Sequence, residues 1–170
     1  FAGIEGTRPV LVEIQALVAP TALGTARRAV VGWDSGRLAM IIAVLQTRCG
    51  LNLGSHDVYL NVAGGLRISE PGADLAVAAA LVSAHMDQPL PLRTVVFGEV
   101  GLGGEVRGVG QADARLREAA NLGFERAFIP ARTKKGKKDT GNLQIAEIAE
   151  LRDLFNQFDA PAKPKAIEAV

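Results

Sequence analysis

Acyl-transfer chemistry needs an oxygen or sulfur nucleophile beside a base, and this sequence offers few of either. Its serines are Ser35, Ser55, Ser69 and Ser83, its one cysteine is Cys49, and its histidines are His56 and His85. Ser35 follows Asp34 at the head of a helical pattern and reads as a cap. Ser83 falls inside an apolar helix, and Ser55 lies in a loop beside His56. Ser69 stands just before Glu70-Pro71, near a helix start where backbone N–H groups could hold an oxyanion. Neither histidine can be set against it by spacing. Cys49 sits near a helix C-terminus, the end that does not lower a thiol pKa, and is expected as a small core residue. So few sulfur and imidazole groups exclude an internal disulfide and leave no metal site to expect.

Phosphate chemistry fares no better. Gly98 to Gly110 is rich in glycine, yet no window fits G-x-G-x-x-G or the phosphate loop G-x-x-x-x-G-K-[ST]. Gly136-Lys137 lacks both the upstream glycine and the hydroxyl residue that would hold magnesium, so this polypeptide is not expected to be an ATPase by itself. Cations do gather: Arg107, Arg115, Arg117, Arg126, Arg132, Lys134, Lys135, Lys137 and Lys138 crowd one block of a chain whose net charge is only +1. Such a run is either a solvated face or a phosphate-facing patch, where each neutralised phosphate releases counterion.

These residues must be positioned by regular elements. Val10 to Val18 alternates apolar and polar residues as a half-buried strand does, and Arg28 to Gly32 is a second short strand. Asp34-Ser35 caps a helix over 37–48, with Leu38, Ile41, Ile42 and Leu45 at helical spacing and Gly50 closing it. Asp57 to Val62 alternates again. Pro71 suits the first turn of a helix running from Asp74 to His85, apolar almost all round and therefore expected to be buried. Thr94 to Phe97 is a strand, the glycine-rich block a tight hairpin or bulged loop, Gln111 to Asn121 an amphipathic helix, and Arg126 to Ile129 a strand stopped by Pro130. Leu143 to Ile145 and Ile148 to Phe158 read as a last strand and helix, and residues 159–170 as a frayed tail.

The 170 residues, 48% hydrophobic but only 5% aromatic, make one α/β or α+β domain with an aliphatic core. No apolar run reaches the roughly 18 residues of a membrane span and no signal segment opens the chain. A soluble, cytoplasmic location is the expectation.

Three separated segments carry a resemblance. GLRISEPGADLAVAAALVS, from Gly65 to Ser83, resembles the catalytic-serine segment of the Lon protease proteolytic domain. GEVGLGGEVRGVGQADARLREAANLGFERAFIP, from Gly98 to Pro130, resembles the segment around its catalytic lysine. The match is closer still to the C-terminal domain of the RadA (Sms) family of bacterial DNA-repair proteins. EGTRPVLVEIQALV from Glu5, VVGWDSGRLAMIIAVLQTRCG from Val30 and VFGEVGLGGEVRGV from Val96 look like that family's signatures. The resemblance runs from about Glu5 to Phe158. It implies a Lon proteolytic-domain-like fold, of the ribosomal S5 domain 2-like kind, over residues 5–158.

Set on the Lon pattern Gly-Pro-Ser-Ala-Gly, the segment Glu70-Pro71-Gly72-Ala73-Asp74 puts Gly72 at the nucleophile, and the lysine position falls on Asp113. A serine–lysine dyad works because a desolvated amine takes the hydroxyl proton. Gly72 has no hydroxyl, and Asp113 is an anion. The resemblance therefore implies a non-catalytic domain that serves as scaffold and DNA-binding surface. It further implies a hexameric ring, DNA and the recombinase RecA as partners, and a role in recombination and branch migration. ATP, magnesium and zinc belong to the family's preceding ATPase core and zinc finger, and no cofactor is expected in this domain. Arg67 and Arg107, each expected in a glycine-rich turn next to the degenerate active-site elements, are the expected DNA contacts, followed by Lys134 and Lys135. Sequence-specific readout is not expected, since only Trp33 and Tyr59 offer large polar-edged rings for stacking. Two other readings stand beside this one: an active peptidase using Ser69, and a pure protein-interaction module.

Overall fold

The computed structural model describes residues 1–22, 24–131 and 142–158. The basic loop holding Lys134 and Lys135, and the tail at 159–170, lie outside the described residues. Ala2–Glu5 (β1) and Arg8–Leu11 (β2) form an antiparallel hairpin. Ile14–Pro20 (β3), Arg28–Val31 (β4) and His56–Val62 (β5) make a three-stranded sheet in the order β3-β5-β4, with β5 antiparallel to β3 and parallel to β4. Parallel strands need a crossover, and helix α1, Ser35–Cys49, provides it between β4 and β5. Its N-cap is Asp34, whose carboxylate accepts the Arg37 N–H at 2.7 Å, while Ser35 is the first helical residue. Gly50 ends the helix in the left-handed region.

A single 3₁₀ turn over Pro71–Ala73 leads into α2, Asp74–Met86. Thr94–Val96 (β6), Arg126–Pro130 (β9) and Gln144–Ile148 (β10) form a second, all-parallel sheet in the order β10-β9-β6. Between β6 and β9 come the hairpin of Glu99–Val100 (β7) and Val106–Arg107 (β8), then α3, Ala112–Asn121. The architecture is mixed α/β.

Side-chain periodicity explains where the cores lie. Alternate residues of a strand face opposite sides. In the second sheet, Val96, Phe128 and Ile148 enter the larger core with Leu38, Ile41 and Leu45 of α1, Leu75 and Leu81 of α2, and Val58 and Leu60 of β5. Val95, Phe97, Ala127 and Ile129 instead meet Leu116 and Ala119 of α3 in a smaller core. Helix α2 is covered by β3, α1, β6 and the segment 151–157, which buries its apolar sequence from Leu75 to Val82 except at the half-buried Ala80, while its last turn is half-buried to exposed. Among the described residues no helix is long and apolar enough to cross a membrane.

Three expectations need correction. The stretch 10–18 is not one strand: the chain leaves β2 at Leu11 and joins a different sheet as β3. Val10, Leu11 and Val12 run apolar straight through the junction, and nothing local encodes the change of partner. The last strand is 144–148 rather than 143–145, because Ile148 still pairs with Pro130. The final helix is a 3₁₀ segment, Leu151–Gln157. Glu150 and Asp153 form a reciprocal capping box that fixes its start after the strand.

Candidate functional site

The turn at Pro71–Ala73 is clamped onto the start of the β7–β8 hairpin. The Gly98 N–H donates to the Gly72 carbonyl at 2.8 Å, and the Leu75 N–H donates to the Gly98 carbonyl at 3.0 Å. A Cβ on Gly72 would stand 3.2 Å from Glu70 Oε2 and 3.6 Å from Arg115 Nη1. A side chain here would therefore project at an ion pair. Arg115, on α3 and 3% exposed, donates to Glu70 through Nη2 at 2.6 Å and Nη1 at 3.1 Å. Its remaining donors reach the carbonyls of Ala2 at 2.7 Å and Gly110 at 3.0 Å. Glu70 in turn accepts the Ile4 N–H at 2.8 Å. The guanidinium also lies 5.6 Å from the centroid of the Phe97 ring, within cation–π range. The pair joins β1, the 3₁₀ turn and α3.

Asp113 lies half-buried in the first turn of α3, where a carboxylate favours the helix dipole. The α3 cation that reaches Gly72 is thus Arg115, two residues further on. An arginine stays protonated throughout the working pH range and cannot take a proton from a hydroxyl. A second pair, buried at its carboxylate and half-buried at its guanidinium, starts at the residue that follows the turn. Asp74, fully buried, accepts from Arg37 Nε at 2.8 Å and from Arg37 Nη2, and it accepts the Val100 N–H at 3.1 Å. The Asp74 carboxylate holds the Arg37 guanidinium above its ordinary pKa.

The expected DNA contacts separate into two settings. Arg67 is exposed on the loop before Pro71 and has no ion pair among the described residues. It lines a cleft of ≈ 640 Å³ with Trp33, Arg37 and Ser69. Arg107 does not line that cleft. It ends β8 rather than sitting in a turn, and it pairs with Glu105. Glu105's own backbone N–H and then Arg107 hold that carboxyl below the usual carboxylate range. Arg107 therefore offers a partly compensated charge. Lys134 and Lys135 lie outside the described residues.

Ser69 has no histidine in its cleft. The two histidines face each other, ring centroids 4.9 Å apart and edge to face, with His56 Nδ1 3.3 Å from the Ser55 hydroxyl. Cys49 packs against the larger core, and burial pushes its thiol pKa up. Ser83 lends its hydroxyl to the Gln88 carbonyl at 2.6 Å, finishing α2. No group of three or more His, Cys, Asp or Glu side chains that could hold a metal occurs among the described residues.

Sequence reasoning missed the Glu70–Arg115 pair, the Arg37–Asp74 pair and the cleft that Trp33 and Arg67 both line. One signal for the first was present: Arg115 falls on the same helical face as Ala112, Leu116 and Ala119, an apolar stripe on which a cation needs a partner.

Comparison with known proteins fits this arrangement to a family. A model described as subunit ChlI of Mg-chelatase matches residues 20–133. The DNA repair protein RadA of Brucella abortus (strain 2308) is 59% identical over 165 residues, which is 97% of this chain and 35% of that protein. RadA of Rickettsia bellii (strain RML369-C) is 51% identical over 154 residues, covering 91% of this chain and 33% of the relative. RadA of Escherichia coli (strain K12) is 47% identical over 155 residues, covering 91% and 34%. The chain spans about a third of the length of these relatives. It belongs to the family whose model is described as the ChlI subunit of Mg-chelatase, and its relatives at about half identity or better are DNA repair proteins named RadA.

Proposed function

We propose that this chain is a non-catalytic, Lon-like scaffold and DNA-binding domain of a RadA-type DNA repair protein. Copies of it would assemble as a ring, a hexamer by the Lon resemblance, that supports DNA branch migration. The DNA-repair role of its relatives supports the context. The observation that carries the non-catalytic part is the neighbourhood of Gly72. The nucleophile position lacks a hydroxyl, and the space in front of it holds the Glu70–Arg115 pair in place of a neutral amine. Ser69, the remaining serine in that region, shares its cleft with Arg37 and Arg67, which cannot serve as bases, and with Asp34, whose carboxylate caps α1 by accepting the Arg37 backbone N–H.

Binding to a polyanion does not require a large net charge if copies surround it, because each copy adds its few unpaired cations to a shared surface. Arg67 is the better candidate of the two arginines, since Glu105 already occupies Arg107. The test is DNA binding across a salt titration. Arg67→Ala should weaken binding more than Arg107→Ala and lower the slope of log K against log salt by about one, with the double variant lowering it only somewhat further. Glu105→Gln should strengthen binding by freeing Arg107. Unchanged binding by the double variant would remove both residues from the interface. Peptide turnover abolished by Ser69→Ala would overturn the non-catalytic reading, and a monomer by light scattering would overturn the ring.

A further inference from the structure

The cleft lined by Arg67 has features that phosphate binding alone does not use. Its wall is preformed. Gly32, at φ 80°, accepts the Ile68 N–H at 2.9 Å, and a Cβ there would come within 2.5 Å of the Leu66 carbonyl oxygen and 2.7 Å of Val62 Cβ. Only glycine lets the loop at 66–69 cross so closely over residue 32. The resulting space, ≈ 640 Å³, lies within the range of small-ligand sites.

Its charges largely cancel. Arg37 is bound by Asp74, and the Asp34 carboxylate is turned to the Arg37 backbone N–H. Arg67 and the Asp34 carboxylate, the two remaining charges of the cleft, form no ion pair among the described residues and balance only in sum, which leaves Arg67 as the cleft's one uncommitted cation. Val30, Ile68 and the half-buried Trp33 supply apolar surface. Trp33 also buries its indole N–H with no acceptor, an exception to the rule that buried donors are paired. Packing against the larger core, not a hydrogen bond, holds the half-buried ring where it lines this cleft. An interior of cancelled charge beside an aromatic ring suits a flat, uncharged heterocycle. A lone cation on an exposed loop suits the phosphate attached to it.

The geometry points to this cleft as the seat of one unpaired base of a DNA single strand, with Trp33 against the base and Arg67 on the neighbouring phosphate. The inference rests on the DNA-binding reading above and adds to it a preference: a base held inside a duplex is not available to such a cleft, whereas a single strand presents every ring face.

Trp33 is the chain's only tryptophan, so its own emission reports the event. The chain is titrated with a thymidine oligonucleotide and with an abasic phosphodiester of equal length and charge. The thymidine strand should quench Trp33 and bind roughly ten-fold tighter than the abasic one. In Trp33→Leu the two affinities should converge while the salt slope is kept, and in Arg67→Ala both strands should weaken with a lower slope. Equal affinity of the unaltered chain for both strands, or equal quenching by both, overturns the inference and leaves DNA binding intact. Failure to bind either strand at low salt overturns the DNA-binding reading, and this inference falls with it. The comparison of the two strands needs no variant, so a poorly folded substitution cannot decide it.

Discussion

Arg115 shows why a permanently charged side chain can be almost wholly enclosed: each of its three guanidinium nitrogens has a partner, in Glu70, Ala2 and Gly110. Removing one member of a buried pair leaves the other uncompensated, at a cost of about 3–5 kcal/mol. Glu70 is a quarter exposed, which puts the Arg115→Met loss at about 3 kcal/mol, the low end of that range. Chemical denaturation should also find the double variant Glu70→Gln with Arg115→Met less damaged than Arg115→Met alone, since no orphan charge remains. A loss under about 0.5 kcal/mol, the usual size of a neutral surface change, would show that the pair does not support the fold. His85 gives a pH prediction. Burial and then the facing His56 depress its pKa, and these outweigh the favourable helix C-terminus. The unfolded chain therefore binds the proton first as pH falls through about 6.5, and stability declines on the acid side of that value. The denaturation midpoint should drop between pH 7 and pH 5, and drop less in His85→Gln. The absence of hydroxyl and amine at Gly72 and Asp113 was legible from residue identity alone. The Glu70–Arg115 contact was legible only as the need of Arg115 for some partner on an apolar helix face; the identity of that partner, 45 positions away, was not.

Elements were more legible than contacts because their signals are short-range. Asp34 and Gly50 bracket α1, Pro71 opens the turn before α2, and Val58, Leu60 and Val62 alternate inward along β5 as their spacing requires. The failures occurred where one element hands over to the next. Ile148 is apolar and fits either a strand end or a helix start, and its pairing with Pro130 together with the Glu150–Asp153 box decides between them. Asp153 Oδ2 accepts the N–H groups of both Ala149 and Glu150, at 3.2 and 2.9 Å. Asp153→Ala should cost about 1 kcal/mol, and amide exchange should quicken at Ala149 and Glu150 before it does elsewhere. Unchanged exchange at those two amides would show that the box does not hold the segment. The split of 10–18 into two strands belongs to the same class, since the apolar run at Val10–Val12 reads as strand on either side of a change of sheet.

At the scale of the whole molecule, the mixed α/β class followed from the order of elements, while the division of apolar residues between two cores did not. That division depends on strands β6 and β9 having both faces covered, which their short apolar runs permit but do not specify. Its consequence is thermal. Val95 and Val96, adjacent in the chain, belong to different cores, as do Phe128 and Ile129. Loosening one core therefore pulls on the backbone that frames the other, and the two should melt as one. Scanning calorimetry should record a single endotherm whose van't Hoff and calorimetric enthalpies agree, and truncating Ile129 under α3 should shift that peak as a unit rather than divide it in two.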